Sequence, residues 1–350
     1  MTSDDLPYGF DAFDPDPLEF PAARSVERRP QTVAEFVRDM KETAEKLGRD
    51  DSTRGDVKMM SVAFKELRYA LKVFSAYRLK RKVTVFGSAR TKPDDPSFQQ
   101  AADFGKQIAE AGYMVITGAG GGIMEAAHVG SGHEHSLGLN IMLPFEQSAN
   151  PVMMKANERL VTLKYFFTRK LMFVKEADAV ILFPGGFGTL DEGFEALTLV
   201  QTGKSHLFPV VCVDRPGGNY WKSWDQFIRA ELLERRLISP DDTALYRVTD
   251  SVEEAVKEVV NFTRVYHSMR YVKGDLILRL HQPISQTLLE EIRKEFASFV
   301  VKGTIEQTEA DPSESNEQHI VHLPRLRFRF DRRQLGRLRL MIDRINREGA

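Results

Sequence analysis

The sequence predicts an α/β fold, a Rossmann-like doubly wound parallel sheet with N-terminal helices and a small C-terminal α+β module. Short apolar runs alternate with helical stretches through the middle of the 350-residue chain. These runs are apolar on both faces, as parallel strands covered by helices on each side require. After about residue 273 the pattern changes, and Leu276, Leu278 and Leu280 fall on one face of a strand.

Composition is typical of a folded protein, with 42% hydrophobic and 28% charged residues. The net charge of −1 gives no general attraction to nucleic acid or to an anionic membrane, so we expect neither as a partner. We find neither a secretory leader nor an apolar run near the roughly 18 residues of a membrane span. The single Cys212 lies in an apolar run, which predicts a buried packing role and favours a cytoplasmic location.

The N-terminal region divides into two parts. Residues 1–30 form an acidic tail that we expect to be disordered, because residues 1–20 carry six acids and no Lys or Arg. Residues 31–81 have two helical patterns, at 32–47 and 57–79, and should pack on the main domain. The apolar stripe of the second helix is assigned to Phe64, Leu67, Leu71 and Phe74.

The central domain is assigned to residues 82–266. Ligands of doubly wound sheets bind beyond the carboxyl ends of the strands, so the residues that follow each run are the informative ones. The candidate strands are 83–86, 113–117, 137–141, 179–183 and 209–213.

Two of these strand ends are rich in small residues. The first strand ends in FGSAR, where Gly87, Ser88 and Arg90 could approach an anion, although a tight turn with a solvated arginine explains the same residues. The second ends in TGAGGGIMEAA and runs into a helix, an arrangement that favours phosphate through backbone amides and the helix dipole. Neither the dinucleotide fingerprint nor a P-loop is present, and a turn that needs glycine only for steric reasons remains the alternative. The glycines concerned are Gly118, Gly120, Gly121 and Gly122.

The strongest segment is PGGFGTLDE, residues 184–192, directly after an apolar strand. Its glycines and Thr189 predict a second anion site on the same edge of the sheet. Thr189 and Glu192 also have the spacing of a helix capping box, which is the structural alternative. A carboxylate at position 192 beside a phosphate site would face C1′ of a bound ribotide. The predicted phosphate ligands are Gly185, Gly186, Gly188 and Thr189.

Upstream, Arg169 and Lys170 are adjacent on a predicted helix. Successive helical residues point about 100° apart, so one of the two cations can face the ligand while the other faces away. A solvated basic residue is the alternative for either one alone.

The PGGxGTxxE motif at 184–192, together with Arg169 and Lys170, resembles the LONELY GUY (LOG) family of nucleotide phosphoribohydrolases. The resemblance extends from about residue 83 to 250 and is closest to the longer bacterial members. It implies a Rossmann-like homodimer that cleaves nucleoside 5′-monophosphates to a free base and ribose 5-phosphate, with no cofactor. Arg169 and Glu192 match the catalytic positions, and Glu146, Lys170 and Thr198 match positions around the ligand pocket.

The chain departs from the family pattern in one glycine-rich loop. Where many relatives have GGGPGIMEAAN, it has Ala119 for a glycine, Gly121 for proline and His128 for asparagine. Many relatives carry a lysine decarboxylase label. A pyridoxal phosphate enzyme needs a Schiff-base lysine and a partner for the pyridinium nitrogen, and the sequence identifies neither.

Chemistry at C1′ should pass through an oxocarbenium-like state. Glu192 could stabilise that cation, attack it or activate water, while Arg169 orients the carboxylate or the ligand. No general acid is assigned. No metal site is expected, since His128, His133 and His135 are interpreted as solvated loop residues. A carrier or sensor that binds a phosphorylated nucleotide-like cofactor without turnover is the alternative function.

The C-terminal module, residues 273–350, is basic. Residues 324–350 hold nine Arg against three acids, and arginines alternate with Leu326, Phe328 and Phe330. This period of two predicts a buried apolar face under the last helix and a presented arginine face. We expect that face to serve assembly or regulation, through the acidic tail or an anionic effector, rather than nucleic-acid binding.

Overall fold

A computed structural model describes residues 32–142, 149–310 and 319–349. The acidic tail at 1–30 and Glu146 lie outside these residues. The helices, in chain order, are α1 (Val33–Leu47), α2 (Arg54–Ser75), α3 (Pro96–Glu110), α4 (Ile123–Ser131), α5 (Pro151–Lys155), α6 (Phe166–Lys175), α7 (Phe187–Gln201), α8 (Tyr220–Phe227), α9 (Val252–Phe262), α10 (Gln286–Glu295) and α11 (Leu335–Glu348). The strands are β1 (Lys82–Phe86), β2 (Met114–Thr117), β3 (Ser136–Ile141), β4 (Leu160–Leu163), β5 (Ala179–Leu182), β6 (Val210–Val213), β7 (Tyr246–Thr249), β8 (Tyr266–Val272), β9 (Asp275–Leu280), β10 (Val300–Thr308) and β11 (Arg325–Phe330).

The first sheet has seven parallel strands in the order β4-β3-β2-β1-β5-β6-β7. The predicted fold class is therefore confirmed, and each of the five predicted strands is present. The chain builds outward from β1 to β4, returns to the other side of β1, and continues outward to β7. The direction of winding reverses between β1 and β5, and a crevice opens at the carboxyl ends of strands at such a switch point.

The prediction missed the two edge strands, β4 and β7. Both have mixed burial along their length, whereas β1, β2, β5 and β6 are buried at every residue. An edge strand has a neighbour on one side only and is partly open to solvent, so it lacks the continuous apolar run of a central strand.

The N-terminal helices differ in how they meet the rest of the chain. Helix α2 packs against α6 and β4, as expected, but with a different face. Its buried residues are Ala63, Ala70 and Phe74, whereas Phe64 is 56% exposed and Leu71 is 43% exposed. The predicted stripe was therefore wrong at these two positions, where the small residues Ala63 and Ala70 are buried in their place, and right at Phe74. Helix α1 has no buried residue.

The second sheet has four antiparallel strands in the order β10-β11-β9-β8. It begins at Tyr266 with β8, which pairs with β9 as a hairpin. The register between β10 and β11 shifts twice, and Gly303 within β10 has a positive φ of 76°. Helices α10 and α11 complete this part of the fold.

The hydrophobic core is continuous between the two sheets. Leu335, Leu338 and Ile342 of α11 belong to the same buried cluster as Val200 of α7 and Phe262 of α9. Helix α11 also packs against α9 and α7. Side chains from both sheets therefore share one core.

The apolar face of β11 is buried as predicted, while the arginine face is presented only in part, at Arg327 and Arg329. Arg325 is fully buried and donates to the carbonyl oxygen of Ile320 at 3.1 Å. Arg327 and Arg329 both pair with Asp275. Asp275 on the neighbouring strand thus supplies a local counter-charge that the expectation did not consider, and the acidic tail lies outside the described residues.

Cys212 lies on β6 and is fully buried, as predicted, and burial raises the pKa of its thiol. None of the helices in the described ranges is both long enough and apolar enough to cross a membrane. Within the same ranges, His, Cys, Asp and Glu form no group of three or more that could hold a metal ion.

Candidate functional site

A pocket of about 750 Å³ opens at the carboxyl ends of β1, β2 and β5, where the winding of the sheet reverses. Most of the predicted site residues meet there. Its lining includes Gly87, Ser88, Arg90, Gly118, Gly120, Arg169, Gly185, Gly186, Gly188, Thr189 and Glu192.

The loop after β1 forms one wall of the pocket. The Ser88 hydroxyl accepts a hydrogen bond from the Arg90 backbone N–H at 3.1 Å. The Ser88 backbone N–H in turn donates to the carbonyl oxygen of Pro184, also at 3.1 Å, which joins this loop to the glycine loop after β5. The Arg90 side chain is exposed at the rim, where a soluble anion can reach it.

In the glycine loop after β2, some glycines line the pocket and others permit a close approach of the backbone, and the sequence did not separate the two roles. Gly118 and Gly120 line the pocket, while Gly121 and Gly122 do not. Gly122 has a φ of 65°, and a Cβ there would lie 2.2 Å from the carbonyl oxygen of Ser88. The steric alternative therefore explains Gly122, because only glycine permits this backbone conformation and this close approach.

His128 is not a solvated loop residue, and this interpretation is corrected. It is fully buried on α4, with Nε2 3.2 Å from the carbonyl oxygen of Leu137 and Nδ1 3.2 Å from the side-chain nitrogen of Asn150. The Asn150 amide also donates to the carbonyl oxygen of Gly120 at 3.1 Å. His128 thus supports the glycine loop from behind. His133 and His135 are exposed, as expected.

The glycine loop after β5 leads directly into α7. Gly186 precedes the helix and has no side chain to cap it, and Thr189 is the third helical residue. The capping-box alternative is therefore not formed, since Thr189 does not occupy the position before the helix. The first-turn amides of a helix have no acceptor within the helix and are available to an anion.

Arg169 and Glu192 face each other across the pocket. The Arg169 Nη2 lies 3.7 Å from Glu192 Oε1, and each side chain is only 12% exposed. Burial raises the pKa of Glu192 to about 7, and the nearby charges of Arg169 and Lys170 only partly oppose that shift. A carboxylate with such a pKa changes its protonation state near neutral pH, as groups in catalytic sites often do.

Aromatic rings and a glycine surround the Arg169 guanidinium. Its central carbon lies 5.0 Å from the ring centre of Phe166 and 5.6 Å from that of Phe173. Its Nη1 lies 3.6 Å from the point where a Cβ would stand on Gly118. Arg169 therefore reaches from α6 to the loop after β2 as well as to Glu192.

The other predicted pocket residues lie elsewhere. Lys170 pairs with Asp191 at 2.6 Å and with Glu195 at 3.2 Å, and it does not line the pocket. Thr198 is an exposed residue of α7 and does not line the pocket. No lysine lines this pocket in the part of the chain that the structure describes.

Sequence reasoning missed the apolar residues of the pocket. Phe187, which occupies the variable position of the PGGxGT motif, is 95% exposed at its edge. Met124 and Phe166 also line the pocket. The available signal in the sequence was a large apolar side chain among the glycines of a strand-to-helix loop, where core packing does not call for one.

Comparisons with known proteins agree on one family. The sequence model of a family described as "possible lysine decarboxylase" matches residues 121–259. The chain is 30% identical over 189 residues to cytokinin riboside 5'-monophosphate phosphoribohydrolase LOG3 of Arabidopsis thaliana, covering 52% of this chain and 83% of the relative. It is 32% identical over 164 residues to the cytokinin riboside 5'-monophosphate phosphoribohydrolase of Mycobacterium tuberculosis, covering 45% and 82%.

Solved structures are more distant. A molybdenum cofactor carrier protein from Chlamydomonas reinhardtii covers 52% of this chain and 98% of its own, with 20% identity and a TM-score of 0.35. A molybdenum cofactor binding protein from Rippkaea orientalis covers 51% and 94%, with 21% identity and a TM-score of 0.35. Likeness at this level assigns no function.

Proposed function

This chain belongs to the LONELY GUY (LOG) family of phosphoribohydrolases, and on that basis we propose that it hydrolyses the N-glycosidic bond of nucleoside 5′-monophosphates. The products are a free base and ribose 5-phosphate. One observation supports this reaction above the others. The buried pair of Arg169 and Glu192 stands in the same pocket as two glycine loops suited to a phosphate.

The proposed chemistry takes place at C1′ of the ribose. Cleavage leaves the bonding electron pair on the base nitrogen and positive charge on C1′ and the ring oxygen. Water then supplies the hydroxyl group at C1′, and its remaining proton ends on the released base. The Glu192 carboxylate stabilises the cation, attacks C1′ or activates the water, and each of these roles requires its ionised form. Arg169 holds the carboxylate in place through its planar array of donors.

We assign the phosphate to the backbone amides of the two glycine loops and to the rim. Gly185, Gly186 and Gly188 border the pocket where α7 begins, and the helix dipole favours an anion there. Arg90 also lines the pocket and adds a positive charge. This assignment predicts that the 5′-phosphate provides binding energy and that the corresponding nucleoside is a poor substrate.

The experiment is incubation of the purified protein with a panel of nucleoside monophosphates, followed by detection of free base and ribose 5-phosphate. We expect Glu192→Gln to abolish base release while nucleotide affinity stays within about tenfold, because the change removes charge but little volume. Glu195→Gln is the matched control on the same helix, since Glu195 does not line the pocket. Equal turnover by Glu192→Gln and the unmodified protein would refute the catalytic assignment.

The carrier function gives a different result in the same experiment. A carrier would bind one of the phosphorylated ligands without releasing a base, and Glu192→Gln would then bind as the unmodified protein does. Efficient cleavage of nucleosides that lack the phosphate would instead show that the glycine loops do not bind it.

We further propose a homodimer and a cytoplasmic location. The dimer is supported by large apolar side chains exposed on neighbouring helices, since extensive exposed apolar surface usually marks an interface. They include Phe64 and Leu71 on α2 and Phe166, Phe167 and Leu171 on α6. Light scattering of the full chain tests the dimer.

Glu146 and Thr198 remain proposed ligand residues, and the division into domains at 31–81, 82–266 and 273–350 remains a proposal.

A further inference from the structure

The glycine loop after β5 is held from outside the pocket by a residue that no sequence motif indicates. The Tyr220 hydroxyl donates a hydrogen bond to the carbonyl oxygen of Gly185 at 2.7 Å. Tyr220 is the first residue of α8, which follows β6, the neighbour of β5 in the sheet. It borders a separate depression and is not part of the pocket lining.

This hydrogen bond fixes the direction of a peptide group. In a planar trans peptide the C=O and the following N–H point in opposite directions. With the Gly185 carbonyl directed at Tyr220, the N–H of Gly186 points away from Tyr220. Gly185 and Gly186 both line the pocket.

The loop has little room to adopt another orientation. A Cβ on Gly185 would lie 2.2 Å from the Thr189 Oγ1 and 3.0 Å from the Ser88 nitrogen. The preceding carbonyl, that of Pro184, is already occupied by the Ser88 N–H at 3.1 Å. Both carbonyl groups at the start of the loop are therefore held, one by a backbone amide and the other by a side chain.

Tyr220 is itself firmly placed. Its ring packs edge-on against Trp221 with 4.8 Å between ring centres. The Asp214 carboxylate accepts the backbone N–H of Trp221 at 3.2 Å and so anchors the start of α8. Burial raises the pKa of Tyr220, so its hydroxyl keeps the proton that it donates at every pH at which the protein would be assayed.

We propose that Tyr220 is a positioning residue for phosphate binding, which orients the peptide between Gly185 and Gly186 so that its N–H meets the phosphate of the substrate. This inference rests on the proposed function for the identity of the ligand. Tyr220 touches neither substrate nor reacting atoms, so its contribution is made through the loop.

The test is Tyr220→Phe, which removes the hydroxyl and keeps the ring. Loss of one such hydrogen bond should raise KM for the nucleotide, and the dissociation constant of ribose 5-phosphate, by about three- to tenfold. The value of kcat should change less than about twofold, because the phosphate is held equally in ground state and transition state. The slow cleavage of the nucleoside should not change, since it has no phosphate for the loop to bind.

Tyr246→Phe is the matched control. The Tyr246 hydroxyl donates to Asp225 at 2.5 Å and its ring packs in the same aromatic cluster, 5.0 Å from Trp224, but it does not contact the glycine loop. The Tyr246→Phe variant should bind ribose 5-phosphate with the affinity of the unmodified protein. If Tyr220→Phe does not fold, Tyr220→His serves as the second variant, because its shorter ring does not reach the Gly185 carbonyl.

Calorimetric titration with ribose 5-phosphate separates the two proposals. If the protein binds ribose 5-phosphate, cleaves no nucleotide, and loses affinity in Tyr220→Phe, the proposed reaction is wrong and the role of Tyr220 holds. If nucleotides are cleaved and Tyr220→Phe binds ribose 5-phosphate with unchanged affinity, the role of Tyr220 is wrong and the reaction holds. If ribose 5-phosphate does not bind at all, the inference is overturned.

Discussion

At the scale of single residues, the proposed chemistry depends on the Glu192 carboxylate, which the fold keeps largely out of water. Each role open to Glu192 requires ionisation, and burial raises the pKa of Glu192 to about 7. We therefore expect kcat/KM for nucleoside monophosphates to rise as pH increases through 7 and to level off above about pH 8. Rate measurements from pH 5.5 to 9 check this expectation. A rate that falls as pH rises through 7 would mean that Glu192 acts as an acid.

His128 gives a second pH dependence, in stability rather than rate. Burial lowers the pKa of His128 from 6.5 to about 4, so between these values the unfolded chain binds a proton that the folded chain does not. The contribution of His128 to stability is complete above pH 6.5 and is lost as pH falls toward 4, at up to about 1.4 kcal/mol per pH unit.

The variant His128→Asn, which introduces the residue of many relatives, should therefore flatten the acid side of the stability profile. Urea unfolding at pH 5 and pH 7 measures the effect as a difference between the two proteins. The two proteins must be compared because burial also lowers the pKa of His267, to about 3. In both proteins His267 therefore makes the free energy of unfolding fall with decreasing pH, as His128 does. Identical profiles for the two proteins would contradict the account of His128.

The sequence predicted the residues whose roles depend on local chemistry, and it failed where distant contacts decide. Glycines beside strand ends and the Arg169–Lys170 pair could be placed from spacing alone, because helix and strand geometry fix their directions. The burial of His128 could not, since its partners, Leu137 and Asn150, approach only when β3 and α5 pack on α4. The hydrogen bond of Tyr220 spans 35 residues and leaves no local pattern.

At the scale of secondary-structure elements, helix α2 positions the helix that carries Arg169. The Glu66 carboxylate of α2 accepts hydrogen bonds from the Lys164 backbone N–H at 2.6 Å and from the Thr168 hydroxyl at 2.8 Å. These contacts surround the first turn of α6, where a negative charge also complements the helix dipole. Helix α2 therefore contacts the start of the helix that carries Arg169.

We expect Glu66→Ala to lower kcat for nucleoside monophosphates by about 10- to 100-fold, because small displacements of a catalytic group are costly. The free energy of unfolding should fall only modestly, by about 1 to 2 kcal/mol, since the Glu66 contacts are partly exposed. Glu42→Gln on α1 is the control, because its partner Lys46 is a surface residue. If Glu66→Ala keeps full activity, α2 does not position Arg169.

The elements themselves were predictable to different degrees. Central strands appeared in the sequence as continuous apolar runs, because they are buried on both faces. The edge strands β4 and β7 did not, since their partly exposed residues are compatible with a loop. For α2 the predicted helix was correct, yet its buried face was misassigned because Ala63 and Ala70 carry too little apolar surface to identify a stripe.

At the scale of the whole molecule, an ion pair joins the two parts of the fold. Arg339 of α11 is buried and pairs with Glu258 of α9 and, at 2.7 Å, with Asp343. Removal of one partner leaves the other charge poorly solvated. We expect Arg339→Leu to lower the free energy of unfolding by about 2 to 4 kcal/mol.

Chemical denaturation followed by circular dichroism measures this loss. The control is Arg333→Ala, whose pair with Asp331 is at the surface with the arginine 89% exposed, and which should leave the free energy of unfolding nearly unchanged. We expect a single unfolding transition for Arg339→Leu and for Arg333→Ala, because α11 shares its core with α7 and α9. Two separate transitions in the unmodified protein would contradict a common core.

The strand β10 has a consequence for the behaviour of the protein at high concentration. It is an edge of the second sheet, and a long, regular edge offers unpaired backbone groups to another chain. The two register shifts against β11 and the left-handed Gly303 interrupt that regularity, and Lys302 adds a charge that a second strand would have to bury. We therefore expect the irregularity of this edge to oppose edge-to-edge aggregation. The substitution Gly303→Val, chosen for its strand propensity, would oppose that protection.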